Sequence, residues 1–471
     1  MRRPKLSVNA SRPQRLTAGT VALARAERPT YDRTSPPIIA HLGFGSFAQA
    51  HLGLYADDLL RRGRAGMIRG VSIRSRGAED RLTPQDGLYT VAEREPGTLV
   101  SLRVLGALAS METGAAAALD AMAAPATSLV TLTITEKGYE VTAEELEHAD
   151  APMSAPALIA LALARRRRAG LAPPVFASLD NLLDNGRVLR TRVVEAANRF
   201  DPSLAEWITC EVAFPSSVVD RMVPAPTERD LEDIGSRLGL VDRAAVSTEH
   251  HRSWIVEAVE ALEPLAGVGV ELVDDVTPFE RRKLWLLNGP HSAVAYGGLL
   301  AGCDTVAHAV GHAAVAPFVR RLVEQTLEVA ALPAALGPAR FADDALRRFA
   351  NPTLGHTCAQ VGADGSSKLP QRLVPVAAAR RARGLDTDMF AVVVAIWIAG
   401  TAGLRVRGAE LPPLEDPVAA DLRSAVSRGD GLHRLSSLAL AGHADASFVA
   451  DVARALDRLG DSGLALLEAP W

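Results

Sequence analysis

Lysine is almost missing from this chain of 471 residues: of its 51 basic side chains, only Lys5, Lys137, Lys283 and Lys368 are not arginine. Such a bias replaces Lys wherever a surface cation suffices, so a Lys that persists marks a position where Arg will not serve. Arg keeps its proton near neutral pH, whereas a desolvated Lys can lose it. Cysteine is nearly as scarce. Cys210, Cys303 and Cys358 are odd in number and far apart, which excludes a disulfide scaffold and fits a reducing compartment. The net charge of −4 leaves no global basic field to recruit nucleic acid or acidic lipid. No long apolar run is present either. The longest, Met389 to Leu404, contains Gly400 and Gly403 and stops at Arg405. It falls short of the roughly 20 residues that span a bilayer and reads as a buried core helix. The N-terminal stretch MRRPKLSVNASRPQRLTAGT is basic without the apolar segment of a secretory signal. These absences predict a cytoplasmic protein with neither nucleic-acid nor membrane partners.

What remains is an ordinary globular composition, 48% hydrophobic and 23% charged, on a chain long enough for two domains. Residues 1–35 read as a polar lead-in ending at Ser35-Pro36-Pro37. Short apolar runs of strand length follow at Ile38–Leu42, Gly70–Ile73, Leu129–Ile134, Val175–Leu179 and Thr209–Phe214. Helical periodicity occupies 47–60, 112–124, 154–168 and 186–199. Alternating strands and helices predict an α/β fold, with an N-terminal Rossmann-like doubly wound sheet over 36–277. From Pro278 the pattern is helical almost throughout, giving a mostly α-helical C-terminal domain over 278–471. The run Arg165–Arg168 reads as the solvated last turn of a helix, where cations suit the helix dipole.

Two segments carry chemistry. Gly43-Phe44-Gly45-Ser46-Phe47-Ala48 follows the first strand and opens a helix. In that context the first glycine permits a tight turn, the second lets a pyrophosphate approach the backbone, and the small sixth residue lets helix and strand pack. This predicts a dinucleotide site. The second strand is followed by Arg74-Ser75-Arg76 rather than by an acid, with Glu79 and Asp80 only later. An arginine there can hold a 2′-phosphate, so NAD is expected and NADP stays open. The other segment is Pro278 to Ser292. On a regular α-helix, Lys283, Glu280, His291 and Asn288 fall at about 0°, 60°, 80° and 140°, one polar sector among Leu284, Trp285, Leu286 and Leu287. A Lys beneath such a surface has its pKa lowered towards neutrality, as a general base requires. The opening of the helical half is also where an interdomain cleft is expected. His308 and His312 share the spacing of a metal pair, but without a third ligand nearby no metal is expected.

Seven ordered blocks, HLGFGSFAQAHLGLY, QDGLYTVAE, LTITEKGY, SLDNLLDNG, FPSSVVDRMVP, PFERRKLWLLNGPHS and ADGSSKLPQR, make the chain resemble the polyol-specific long-chain dehydrogenases. That family includes mannitol 2-dehydrogenase, fructuronate reductase (mannonate oxidoreductase) and arabinitol dehydrogenase. The resemblance implies zinc-free hydride transfer with Lys283 as general base, and Asn288 with Asn181 as donors to the developing alkoxide. It further implies His291 as an orienting group and Glu280 as a relay of the base's proton to solvent. Thr135 and Glu136 would join the glycine turn at the cofactor, and Lys368, Arg372 and His356 would lie near substrate. Departures are Phe47-Ala48-Gln49-Ala50-His51 in place of Phe-His-Arg-Ala-His, Trp285 in place of Arg, Pro290 in place of Ser, and Gly355-His356-Thr357-Cys358 in place of Arg-His-Arg-Thr. Losing those two arginines tilts the expectation from a uronate towards a neutral polyol or ketose. Fructuronate or tagaturonate reduction is the alternative, and a catalytically silent cofactor-binding protein is the third reading. A monomer or small homo-oligomer is expected.

Overall fold

The computed structural model describes residues 14–96, 98–134, 136–141 and 154–470, with the backbone alone at 136 and 137. The chain divides into two compact units, one ending at Val276 and the other starting at Thr277.

In the first unit, strands β1 (Ile39–Leu42), β2 (Ile68–Ser72), β3 (Tyr89–Glu95), β4 (Thr98–Leu105), β5 (Leu108–Thr113), β6 (Leu129–Leu132) and β7 (Val175–Ser178) lead into β8 (Ser217–Asp220), β9 (Val246–Glu249), β10 (Ser253–Glu257) and β11 (Glu271–Val273). Five of them form a fully parallel sheet in the order β5-β2-β1-β6-β7. β1, β6 and β7 are buried at every position, which is why they read as unbroken apolar runs. Strand order reverses across β1, flanked by β2 and β6. In such sheets that reversal is where a ligand meets the strand ends.

Several expectations require correction. The helix expected over 47–60 is two, Ser46–Ala50 and Leu52–Arg61, broken at His51 (φ −104°, ψ −80°). The His51 ring stacks on Phe47 at 5.0 Å and its Nε2 donates to the Ser253 carbonyl at 3.0 Å. The strand expected over Thr209–Phe214 is half helix. Asp201 caps and Pro202 opens the helix Pro202–Glu211, which ends just before Val212. Only the residues beyond it run beside β7, with Phe176 N–H donating to the Ala213 carbonyl at 3.0 Å. Arg166 is not solvated: it is buried and its guanidinium donates to the carbonyls of Met122, Ala124 and Ala172. Residues 14–35 pack on the first unit through buried Leu16 and bridges from Arg15 to Val241 and Glu27 to Arg103. Two small sheets, β4-β3-β9 and β11-β10-β8, were hidden from sequence by their many polar residues.

The second unit is helical. Among its described residues the only β pairings are isolated bridges, Thr305 to Thr357 and Val406 to Ala409. Its centre is the helix Asp388–Ala402, buried at every residue from Met389 onward, as expected for a core helix. No described helix is long and apolar enough to cross a membrane.

His41 and His51 are fully buried in the first unit, and desolvation pushes both pKa values down to about 3. The unfolded chain binds protons at these rings below about pH 6.5, while the folded chain does not. Their contribution to stability is therefore complete above pH 6.5 and is lost as pH falls towards 3. Urea unfolding at pH 7, 6 and 5 is expected to show stability falling by up to about 1.4 kcal/mol per pH unit for each ring. A flat profile would contradict two neutral buried histidines.

Candidate active site

The glycine turn is built by close approach. Gly43 has φ +89° and its N–H donates to the Val71 carbonyl at 2.7 Å, prolonging the ladder one residue beyond β1. A Cβ on Gly43 would lie 2.1 Å from the Thr133 carbonyl oxygen, so only glycine fits. Phe44 is buried edge-on to His41 and Tyr89, while Gly45 N–H closes the turn onto the Gly43 carbonyl at 2.7 Å. The first helical bond runs from Gln49 N–H to the Gly45 carbonyl, which leaves the N–H groups of Ser46, Phe47 and Ala48 as helix-end donors. That cradle fits a pyrophosphate. Arg74 lies exposed two residues beyond β2, and the later acids Glu79 and Asp80 pair with Arg76. Thr135 lies outside the described residues; Glu136 starts the short helical turn Glu136–Tyr139, and its side chain lies outside them.

Asn181 sits exposed on the turn after β7, held by neighbours that sequence reasoning missed. Asp180 accepts from Ile134 N–H at 2.9 Å and from the Tyr139 hydroxyl at 2.8 Å, tying the end of β7 to the end of β6. Asn185 is fully buried; its amide donates to the carbonyls of Ser178, Asp180 and Ser217 and its oxygen accepts from Ser217 N–H. The clue was present as Asp180-Asn181 and Asp184-Asn185 flanking two leucines, more amides and acids than a surface turn requires.

In the second unit, the predicted lysine helix is not regular. Thr277–Lys283 is α-helical, Leu284–Asn288 is a π-type turn, and Gly289–Leu300 resumes the α-helix. Gly289 N–H reaches back five residues to the Leu284 carbonyl. Pro290 has no N–H to give Leu286, and its ring would clash with that carbonyl in an α-helix. The wider turn relieves both problems. A π-type turn adds one residue, setting everything beyond it back by about 100°. Asn288 thereby moves from about 140° to about 40° from Lys283, and His291 to within about 20°. The polar groups form a tighter stripe than a regular helix allows.

Glu280 and Asn288 are buried and Lys283 is half-buried. Asn288 Oδ1 and His291 Nε2 lie buried without a hydrogen-bond partner among the described residues, the condition expected of groups awaiting a ligand. The His291 ring stacks on Phe349 at 4.4 Å and lies 6.2 Å from His356. Desolvation, then His356, Arg372, Arg348 and Lys368, hold its pKa down to about 3. Arg372 is buried, donates to Ser292 Oγ at 3.1 Å, and its backbone packs against Gly289. Lys368 Nζ donates to the Ala363 carbonyl at 2.6 Å. Arg348, absent from the sequence reading, joins them; only its helical register beside Phe349 could have pointed to it. Among the described residues no three His, Cys, Asp or Glu side chains form a metal-binding group.

Residues 37–265 match the family model of the mannitol dehydrogenase Rossmann domain, and residues 275–459 that of the mannitol dehydrogenase C-terminal domain. The chain is 35% identical to D-mannonate oxidoreductase of Escherichia coli (strain K12) over 437 residues, 87% of this chain and 89% of the relative. It is 35% identical to mannitol 2-dehydrogenase of Cereibacter sphaeroides over 416 residues, 83% and 86% of the two chains. The structure of Pseudomonas fluorescens mannitol 2-dehydrogenase in ternary complex with NAD and D-mannitol superposes with a TM-score of 0.87 at 29% identity, covering 97% of this chain and all of that one.

The depressed His291 pKa predicts a ring that stays neutral between pH 5 and 8. Nitrogen-15 spectra of histidine-labelled protein, assigned with a His291→Gln variant, are expected to show no His291 titration in that range; an imidazolium at pH 6 would refute the assignment.

Proposed function

Because the chain belongs to the mannitol dehydrogenase family, we propose that it is a metal-independent, NAD(P)-linked dehydrogenase interconverting a sugar alcohol of the mannitol or arabinitol type with its 2-ketose. The observation that carries this reading is the stripe of Lys283, Asn288 and His291 brought together by the π-type turn. The glycine turn would hold the dinucleotide, with the Ser46, Phe47 and Ala48 N–H groups at its phosphates and Arg74 near its ribose. Bound there, the nicotinamide supplies the hydride acceptor for the substrate C–H bond. Lys283, as the neutral amine, removes the hydroxyl proton, and Glu280 passes it on towards solvent. Asn288 and Asn181 donate hydrogen bonds to the oxygen as negative charge grows on it. His291, held neutral, orients the reacting hydroxyl through Nε2 without adding a charge. Lys368, Arg372 and His356 hold the remainder of the substrate.

A second reading, oxidation of an aldonate to its keto-uronate by the same machinery, is favoured by one observation. Arg348, Lys368 and Arg372 all raise the positive potential at His291, and a substrate carboxylate would answer that field. The relative from Escherichia coli named D-mannonate oxidoreductase is consistent with it.

Turnover of mannitol, arabinitol and mannonate, followed at nicotinamide absorbance with NAD and NADP in parallel, separates the readings. Under the first reading the neutral polyols turn over; under the second only mannonate does, and Arg348→Ala raises its KM. Cofactor binding without any turnover would sink both. Lys283→Ala is expected to lower kcat about 10²–10⁴-fold while cofactor affinity is retained; near-normal turnover would remove Lys283 from its role.

A further inference from the structure

Beneath the glycine turn lies a chain of hydrogen bonds whose protons can be ordered. His41, in β1, is fully buried and stands in register opposite Thr131 of β6. Thr131 and Thr133 are two residues apart on β6 and its extension, so their side chains share a face. His41 Nδ1 lies 2.7 Å from Thr131 Oγ1, and Nε2 lies 2.9 Å from Thr133 Oγ1. Thr133 Oγ1 in turn lies 2.7 Å from the Gly43 carbonyl oxygen.

A carbonyl can only accept, so the Thr133 hydroxyl proton is committed to Gly43. Thr133 Oγ1 must then accept from His41, which places the ring proton on Nε2. In the neutral ring Nδ1 is bare and accepts from the Thr131 hydroxyl. The order is thus Thr131 to His41 to Thr133 to Gly43. Burial of the imidazole disfavours the second proton that would reverse the first link. The Gly43 oxygen accepts from Thr133 Oγ1 and from Gly45 N–H, and the His41 ring also bonds to the Gly43 backbone. Its dipole is thereby engaged by donors within the turn.

We propose that His41 and Thr133 are positioning residues for the dinucleotide, acting through the Gly43 carbonyl to fix the shape of the turn that receives the phosphates. Neither residue touches the reacting atoms. The inference rests on reading the glycine turn as the cofactor site. Without the Thr133 hydroxyl, the Gly43 carbonyl loses one of its donors and can tilt towards the phosphates, which it repels.

Thr133→Val removes the hydroxyl and keeps the shape; Thr133→Ser keeps the hydroxyl. Titration calorimetry of the full-length protein with NADH and NADPH is expected to give roughly tenfold weaker binding for Thr133→Val, the loss of one hydrogen bond. Thr133→Ser should bind within about threefold of the parent, a margin below one hydrogen bond. In turnover, Thr133→Val should raise the cofactor KM with little change in kcat. His41→Leu, which leaves Thr133 without its donor, should reproduce the loss and serves if the valine variant does not fold. Equal binding by folded Thr133→Val, or equal weakening in valine and serine variants, overturns the proposal. A parent protein that binds neither NADH nor NADPH instead overturns the reading of the turn itself.

Discussion

The first strand of the parallel sheet can turn where it does because nothing projects from Gly43. The Thr133 carbonyl oxygen fills the volume a side chain would occupy. With that contact in place, β1 stays paired to β2 one residue beyond its end while Thr133 N–H bonds to its last residue from β6, and the chain enters the next helix with its first N–H groups unspent. The adjacent strand end is drawn in by the same logic. Ile134 N–H, just past Thr133, finds its acceptor on Asp180, so the position of the loop after β7 follows from the position of β6. Turn, β6 extension and the Asn181 loop are therefore one connected backbone arrangement.

The second unit reaches an equivalent result by a different omission. Proline at 290 has no amide proton and a ring that intrudes on the preceding turn. The helix widens, and the buried Asn288 is carried towards the meridian of Lys283. The polar groups so gathered are costly to bury. Among the described residues, Asn288 Oδ1 and His291 Nε2 receive no hydrogen bond in return. A cluster of cations around a histidine that stays neutral adds to that cost.

The sequence was readable where a residue's character and its local environment coincide. Strands buried on both faces appear as apolar runs, and the glycine turn and the all-apolar helix could be found from local sequence alone. What escaped was set by distant partners. Arg166 looked like a surface cation because the three carbonyls that it serves lie on other segments. Thr209–Phe214 looked extended because its β-branched residues outweighed a cap eight positions earlier. The small sheets carry polar side chains on β3, β4 and β9, which weakened their alternation. The irregular turn beside Lys283 was signalled only by a proline, and the partners of Asp180 and Asn185, which flank Asn181, became visible only once the ends of β6 and β7 and the start of β8 were brought together.

The helix Asp388–Ala402 has no polar face, so hydrophobicity alone gives it no preferred rotation about its axis. Its setting must come from shape and from the few directional contacts available. Trp397 Nε1 donates to Asp416 at 3.1 Å, and the same indole lies against Gly365, where a methyl group would sit 2.3 Å from the ring nitrogen. Gly400 receives Leu414 in the same manner. Both contacts come from the segments that frame Lys368 and its neighbours. The rotational setting of a helix that bears no candidate site residue thus becomes a mechanical reference for one that does: a repacking that turned it by one residue would be transmitted as a displacement of Lys368 and Arg372.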